Sequence, residues 1–311
     1  MSDYNTADEK RKGIEKMADY ILSCCSSADL TKERLEGCNI KYVPFHFAVD
    51  GVEYYDDLGE SFPQEQLYQK IKDGAETRTY QVNISEYVDY FSDFMEQGLD
   101  VVHVCLSSGL TGTVNSARNA ALILKERFPE RKLYIIDSLG ASAGIGLLMV
   151  TAAEKRDEGL SAGELAQWIE ENRLCVQHWF FSTDLSSYVR GGRISKTAAV
   201  FGGALQICPL LNMDEQGRLR PREKVRTKKK VIREIVARME QNARDGLDYN
   251  GRCFISMSAC MDDARQVAEL IEERFPELNG KVEIYNIGPT IGCHTGPDTV
   301  ALFFFGKKRE S

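Results

Sequence analysis

Two stretches hold residue types that can do chemistry together. The first is Ser107-Ser108-Gly109-Leu110-Thr111-Gly112-Thr113, four hydroxyls and two glycines directly after the apolar run 101–106. Glycine lets a backbone approach a ligand closely, and hydroxyls donate hydrogen bonds. Residues 115–124 then read as a helix, whose first N–H groups and positive dipole end favour an anion at the loop. A plain helix cap explains the same hydroxyls equally well. The stretch matches neither a P-loop nor G-x-G-x-x-G, and it lacks the G-x-S-x-G elbow of a serine hydrolase. The second stretch is 288–297, GPTIGCHTGP, which reads as a loop carrying His294. An imidazole there can donate to an oxyanion, become charged beside one, or simply bond its own loop.

Other groups compete for a role. Arg190-Gly191-Gly192-Arg193 sets two guanidinium groups around a glycine pair, suited to a phosphate or carboxylate as well as to a solvated turn. Residues 220–233, RPREKVRTKKKVIR, are strongly basic in an acidic chain and read as a docking surface or a solvated face. His46, His103, His178 and His294 are far apart in the chain, and the nine cysteines show no zinc spacing, so no metal and no cofactor is expected. A Ser108/His294 hydrolase needs an orienting carboxylate, for which Asp137 is the candidate.

These residues need a scaffold of alternating strands and helices. Residues 20–22 start a strand entering the small-residue loop 23–29; 40–49 are extended; 31–36 and 63–71 are short helices; and 77–81 form a loop. Ser85 is positioned to cap a helix whose Tyr87, Phe91, Phe94 and Met95 make an aromatic stripe, read as core. Residues 132–136 form another buried strand and 141–154 a helix. This alternation predicts a parallel αβα sandwich. From Ser161 and Glu164, a capping box, the pattern changes. Short helices at 185–189 and 194–205, a hairpin turning at 214–217, and strands near 253, 282 and 300 predict a second α/β domain with a mixed or mostly antiparallel sheet.

At 311 residues the chain exceeds the usual limit of one core, and the expected domains are 1–160 and 161–311. Hydrophobic residues make up 43% and charged residues 28%, an ordinary globular balance. A net charge of −8 gives no reason to expect nucleic acid. With no apolar run long enough to span a bilayer and no apolar leader, neither secretion nor membrane insertion is expected, and scattered thiols fit a reducing cytoplasm.

Taken together, SSADL (26–30), SSGLTGT with NSAR (107–118), IDSLGASAGIGLL (136–148), RGGRISK (190–196), EKVRTKKK (223–230) and IGPTIGCHTGP (287–297) resemble the DegV family. Its better understood members are fatty-acid-binding subunits of a bacterial two-component fatty acid kinase. The resemblance runs from about residue 20 to 306. It implies two α/β domains with one long-chain fatty acid in a tunnel between them. It also implies that Thr79, Ser108 and His294 hold the carboxylate, with Ser26, Ser107, Gly109 and Thr295 as supporting groups. A separate ATP-dependent kinase would phosphorylate the bound carboxylate, so this chain would not itself be an enzyme. Arg193 and Arg226 are the expected contacts for that partner or for the new phosphate. Two departures fall beside the head group: Cys25-Ser26-Ser27 where relatives usually have Asp-Ser-Thr, and Tyr80 where they have a serine. A Ser/His hydrolase and a phosphate-ester enzyme are the alternatives.

Overall fold

The computed structural model describes residues 20–195 and 207–310. Most of the helix expected at 194–205 falls outside them.

Three sheets organise the chain. The first is parallel, in the order β2 (Ile40–Val43), β1 (Tyr20–Cys25), β6 (Asp100–Cys105), β7 (Leu133–Asp137). Its central strand β6 is buried from Val101 to Cys105, as expected for a strand covered on both faces. Helices α3 (Ile84–Glu96) and α4 (Thr113–Arg127) pack against each other, and α3 against β6. Asn83 rather than Ser85 caps α3, in a reciprocal capping box with Glu86. The aromatic stripe is core: Tyr87 and Phe91 are fully buried.

A second, three-stranded antiparallel sheet has the order β4 (Val52–Tyr55), β3 (His46–Val49), β5 (Thr77–Tyr80). The segment expected to be a loop at 77–81 is therefore an edge strand. Its alternation turns Thr77 and Thr79 inward and leaves Arg78 and Tyr80 exposed. The third sheet is mixed, with order β10 (Leu219–Arg226), β9 (Ile207–Met213), β8 (Val176–Ser182), β13 (Thr299–Phe305), β11 (Cys253–Met257), β12 (Val282–Asn286). Its pairs are antiparallel except β11 with β12.

Helix α5 (Ala143–Asp157) joins the two halves. It packs on β8, β11 and β13 and also on the turn at Ser26–Ala28, and nearly every side chain from Ala143 to Val150 is buried. A helix apolar all round belongs between layers. A Cβ on Gly146 would sit 2.8 Å from the Ala28 carbonyl oxygen, so this close approach requires glycine. Helix α6 (Ala162–Asn172) follows, with the predicted Ser161/Glu164 capping box. No helix among the described residues is long and apolar enough to cross a membrane.

Candidate functional site

A cavity of about 650 Å³ lies where the sheets meet, lined by residues of both halves of the chain and mostly apolar. Its walls include Phe45, Leu106, Phe180, Met213, Leu219, Ile287, Ile291 and Phe303. This size is ordinary for a small-molecule site. Its polar lining groups include Thr79, Gln81, Thr111, Arg193, His294 and Thr295, with Ser142, His178, Tyr188, Thr290 and Thr299 among the others.

His294 is carried by a short helix, α10 (Pro289–Thr295), where the glycines and prolines had suggested a loop. Proline at the first helical position and the positive φ of Gly296 after the last explain how those residues start and stop a helix. The first half of the chain holds α10 in place. Thr290 donates from both its backbone and its hydroxyl to the buried carboxylate of Asp56, and Tyr68 donates to the Ile287 carbonyl at 2.7 Å. A Cβ on Gly292 would come within 2.6 Å of the Tyr68 hydroxyl. Asp29, itself in a left-handed turn, accepts from Gly288 N–H and Ser142 Oγ.

Strand β5 brings Thr79 Oγ1 to 2.7 Å from His294 Nε2. On the other side of the ring, Arg193 Nη1 lies 3.4 Å from Nδ1, while its Nε and Nη2 donate to the Leu110 carbonyl. Arg193 follows Gly192, whose positive φ makes the turn after α7 (Ser186–Arg190). A guanidinium has donors only, so the nitrogen facing it must be an acceptor. We therefore assign the ring proton to Nε2, which donates to Thr79. The hydroxyl proton of Thr79 is then the polar hydrogen this pair does not use. Burial, reinforced by the Arg193 charge, lowers the imidazole pKa to about 4, so the ring is neutral near pH 7. Arg193, expected from the resemblance as a contact for the partner or the new phosphate, also gives the site a permanent cation beside His294.

The Ser/Thr loop divides its expected residues. Ser107 is buried and donates to the Gly217 carbonyl at 2.9 Å, tying the loop to the turn between β9 and β10. Gly109 packs on that same turn, with the Gln216 and Gly217 carbonyls where a side chain would go. Ser108 is exposed, lies outside the cavity lining, and gives its N–H to Asp137 Oδ1. The turn, with Leu110 and Thr111 N–H on the Ser107 carbonyl, carries Thr111 to the wall instead. Thr111 Oγ1 reaches Gln81 Oε1 at 3.5 Å, and α4 begins immediately afterwards. Thr111 and Gln81 were not singled out from the sequence; a Thr two residues before a helix start was the available signal.

Of the remaining expected residues, Thr295 is buried in the wall. Ser26 is buried elsewhere, accepting from Phe45 N–H. Arg226 sits at the opposite end of β10 from the wall residue Leu219, roughly 20 Å away at ~3.3 Å per residue. Asp137 Oδ1 also accepts from Leu139 N–H, and His294 Nδ1 faces a guanidinium, so the Ser108–His294–Asp137 arrangement of a hydrolase is not assembled.

A family model described as an uncharacterised DegV family protein matches residues 25–307. A DegV domain-containing protein of Clostridium perfringens is 33% identical over 294 residues, covering 94% of this chain and 100% of the relative. Two solved structures share the fold. One is DegV of Bacillus subtilis, described as a fatty acid binding protein, with TM-score 0.78, 26% identity and coverage of 93% and 99% of the two chains. The other is a fatty-acid-binding DegV family protein of Thermus thermophilus, with TM-score 0.80, 25% identity and coverage of 92% and 99%. With the match spanning nearly the whole chain and both sheets in their expected classes, this protein belongs to the DegV family.

Proposed function

We propose that this protein binds a long-chain fatty acid, tail in the apolar cavity and carboxylate at Thr79, and presents that carboxylate to a separate ATP-dependent kinase. The observation that carries the reading is the hydroxyl–imidazole–guanidinium row of Thr79, His294 and Arg193 in a mostly apolar cavity of about 650 Å³. Each methylene removed from water contributes about 0.8 kcal/mol, so a tail of a dozen or more carbons offsets the several kcal/mol lost on association. The head group needs donors once dehydrated. Thr79 supplies its hydroxyl, Thr111 a second at the start of α4, and Arg193 a nearby positive charge. The neutral His294 ring holds Thr79 Oγ1 through Nε2–H, which leaves the Thr79 hydroxyl proton for the carboxylate. Two relatives of the same fold, at 25–26% identity, are described as fatty-acid-binding proteins. This chain provides binding and orientation, and phosphoryl transfer belongs to the partner.

The phosphate-ester reading would need polar side chains along the cavity to satisfy a sugar or nucleoside, whereas the wall away from the head group is dominated by Phe, Leu, Ile and Met. Native mass spectrometry of the purified protein, followed by organic extraction, tests the proposal. One fatty acid per chain is expected, along with ATP-dependent turnover of that acid when a fatty acid kinase catalytic subunit is added. An empty protein that takes up no added fatty acid, or one carrying a phosphorylated metabolite, would overturn it.

A further inference from the structure

The four-stranded parallel sheet carries a second cluster, away from the cavity. Ser23 pairs with His103 and Cys24 with Val104, so the next residues of β1 and β6, Cys25 and Cys105, are also side by side. Alternation puts Ser23, Cys25, His103 and Cys105 on one face, and Tyr87, Tyr90 and Phe91 of α3 cover it. The two thiols and the imidazole offer ligand atoms all within 4.8 Å of one another. All three residues are at most 1% exposed.

We propose that Cys25, His103 and Cys105 hold a zinc ion, with the Tyr87 hydroxyl at the fourth corner. Zn–S of ~2.3 Å and Zn–N of ~2.0 Å at tetrahedral angles place sulfur and nitrogen about 3.5 Å apart. Cys25 Sγ is 3.7 Å from His103 Nε2 and 3.4 Å from the Tyr87 hydroxyl. The outer contacts also fit. Ser23 Oγ lies 2.9 Å from His103 Nδ1 and 2.7 Å from the Tyr90 hydroxyl, so Nδ1–H can donate to Ser23 and Ser23 to Tyr90, with the Nε2 lone pair left for the ion. Without an ion, Nε2 finds among the described residues only a thiol, a poor partner for a buried ring nitrogen.

Charge selects the ion. Zn²⁺ displaces the two thiol protons, and its +2 charge balances two thiolates, so a neutral complex forms in a dry interior; Cu⁺ with the same thiolates would bury a net negative charge. The ligands have no exposed route, so the ion enters as α3 closes over the sheet during folding.

To test this, the full chain is unfolded with denaturant, reductant and chelator, then refolded with Zn²⁺, with Co²⁺ or with neither. Expected are one tightly held zinc per chain after desalting, a Tm several degrees above that of the metal-free chain, and the intense visible bands of tetrahedral thiolate-bound Co²⁺. Cys25→Ser and Cys105→Ser should each weaken retention at least about tenfold. Cys24→Ala, on the opposite face of β1, should retain it. Metal content well below one equivalent, an octahedral Co²⁺ spectrum, preference for Cu⁺, or equal retention in Cys25→Ser would overturn the proposal. If the cysteine variants do not fold, the Co²⁺ spectrum of the unaltered chain decides.

Discussion

Thr79 and His294 lie 215 positions apart in the chain, yet their side chains meet at 2.7 Å. An edge strand of the small antiparallel sheet supplies one, and a helix of about two turns, held by Asp56 and Tyr68, supplies the other. The pair therefore exists only when both halves of the fold are docked, and the cavity it faces exists on the same condition.

Thr79→Val keeps the shape and removes the hydroxyl. If Thr79 donates to a carboxylate, a charge-assisted bond worth about 1.5–3 kcal/mol is lost, and fatty-acid affinity falls roughly 10- to 150-fold with little change in Tm. Equilibrium titration with a fluorescent fatty acid measures this directly. An unchanged Kd would remove Thr79 from the head-group site.

Ser108 and Thr111 are expected to separate cleanly. Ser108 is exposed and contributes its backbone N–H to Asp137, so Ser108→Ala should change fatty-acid affinity by less than about twofold. Thr111 lines the cavity, and Thr111→Val should weaken binding about fivefold or more by removing a hydroxyl. The opposite ranking would return Ser108 to the head group. The same variants test the hydrolase alternative, which expects ester cleavage that Ser108→Ala abolishes.

Acid should expose the cost of keeping His294 neutral. An unfolded imidazole titrates near 6.5, whereas the folded one titrates at about 4. Between those values the unfolded chain binds the extra proton, so this residue's contribution to stability, complete above about pH 6.5, is lost progressively as pH falls toward 4. Buried Asp29 and Asp56, pushed up mainly by burial, act in the opposite direction. A difference curve isolates His294: relative to His294→Gln, the unliganded wild type should lose Tm steadily from pH 7 to 4. A flat difference would show that the imidazole is not held neutral.

The parallel sheet, the strand–loop–helix at 101–127 and the hairpin at 214–217 were legible because burial on both faces, capping and turn chemistry are local signals. The site was legible in part. The helical state of α10 was hidden because its Gly292 serves close packing against Tyr68 and Gly288 and Gly296 bound it, and a reading based on propensity takes such a stretch for a loop. Ser108 and Thr111 could not be told apart from the sequence, because which hydroxyl of a turn faces the cavity depends on the turn's own hydrogen bonds. Cys25, His103 and Cys105 showed no ligand spacing, since parallel register brings together residues eighty apart. Arg193 and Arg226 looked equivalent in composition, and only the direction of β10 separates them.

Tyr68 tests how α10 is held. Its hydroxyl is buried and donates to the Ile287 carbonyl, two residues before the helix begins. Tyr68→Phe leaves that acceptor unpaired and should cost about 1–3 kcal/mol in a urea titration. Because the same turn positions His294, fatty-acid affinity should fall in the folded variant too. Lost stability with unchanged affinity would mean that α10 keeps its place without this bond.

Tyr80 stands at the cavity wall while remaining 42% exposed, so it reaches the mouth from the outward side of β5. A phenol ring there covers more of a bound ligand than a hydroxymethyl group would, and its effect should be kinetic. A ligand leaving the cavity must pass or displace the ring, whereas the proposed head-group contact comes from Thr79, on the other face of the strand. Tyr80→Ser should therefore accelerate fatty-acid dissociation several-fold in stopped-flow transfer to acceptor vesicles, and raise the association rate by a similar factor. Equilibrium affinity should change less than either rate. If dissociation accelerates alone and Kd rises in proportion, the ring contributes contact rather than obstruction. Tyr80 would then belong to the binding surface.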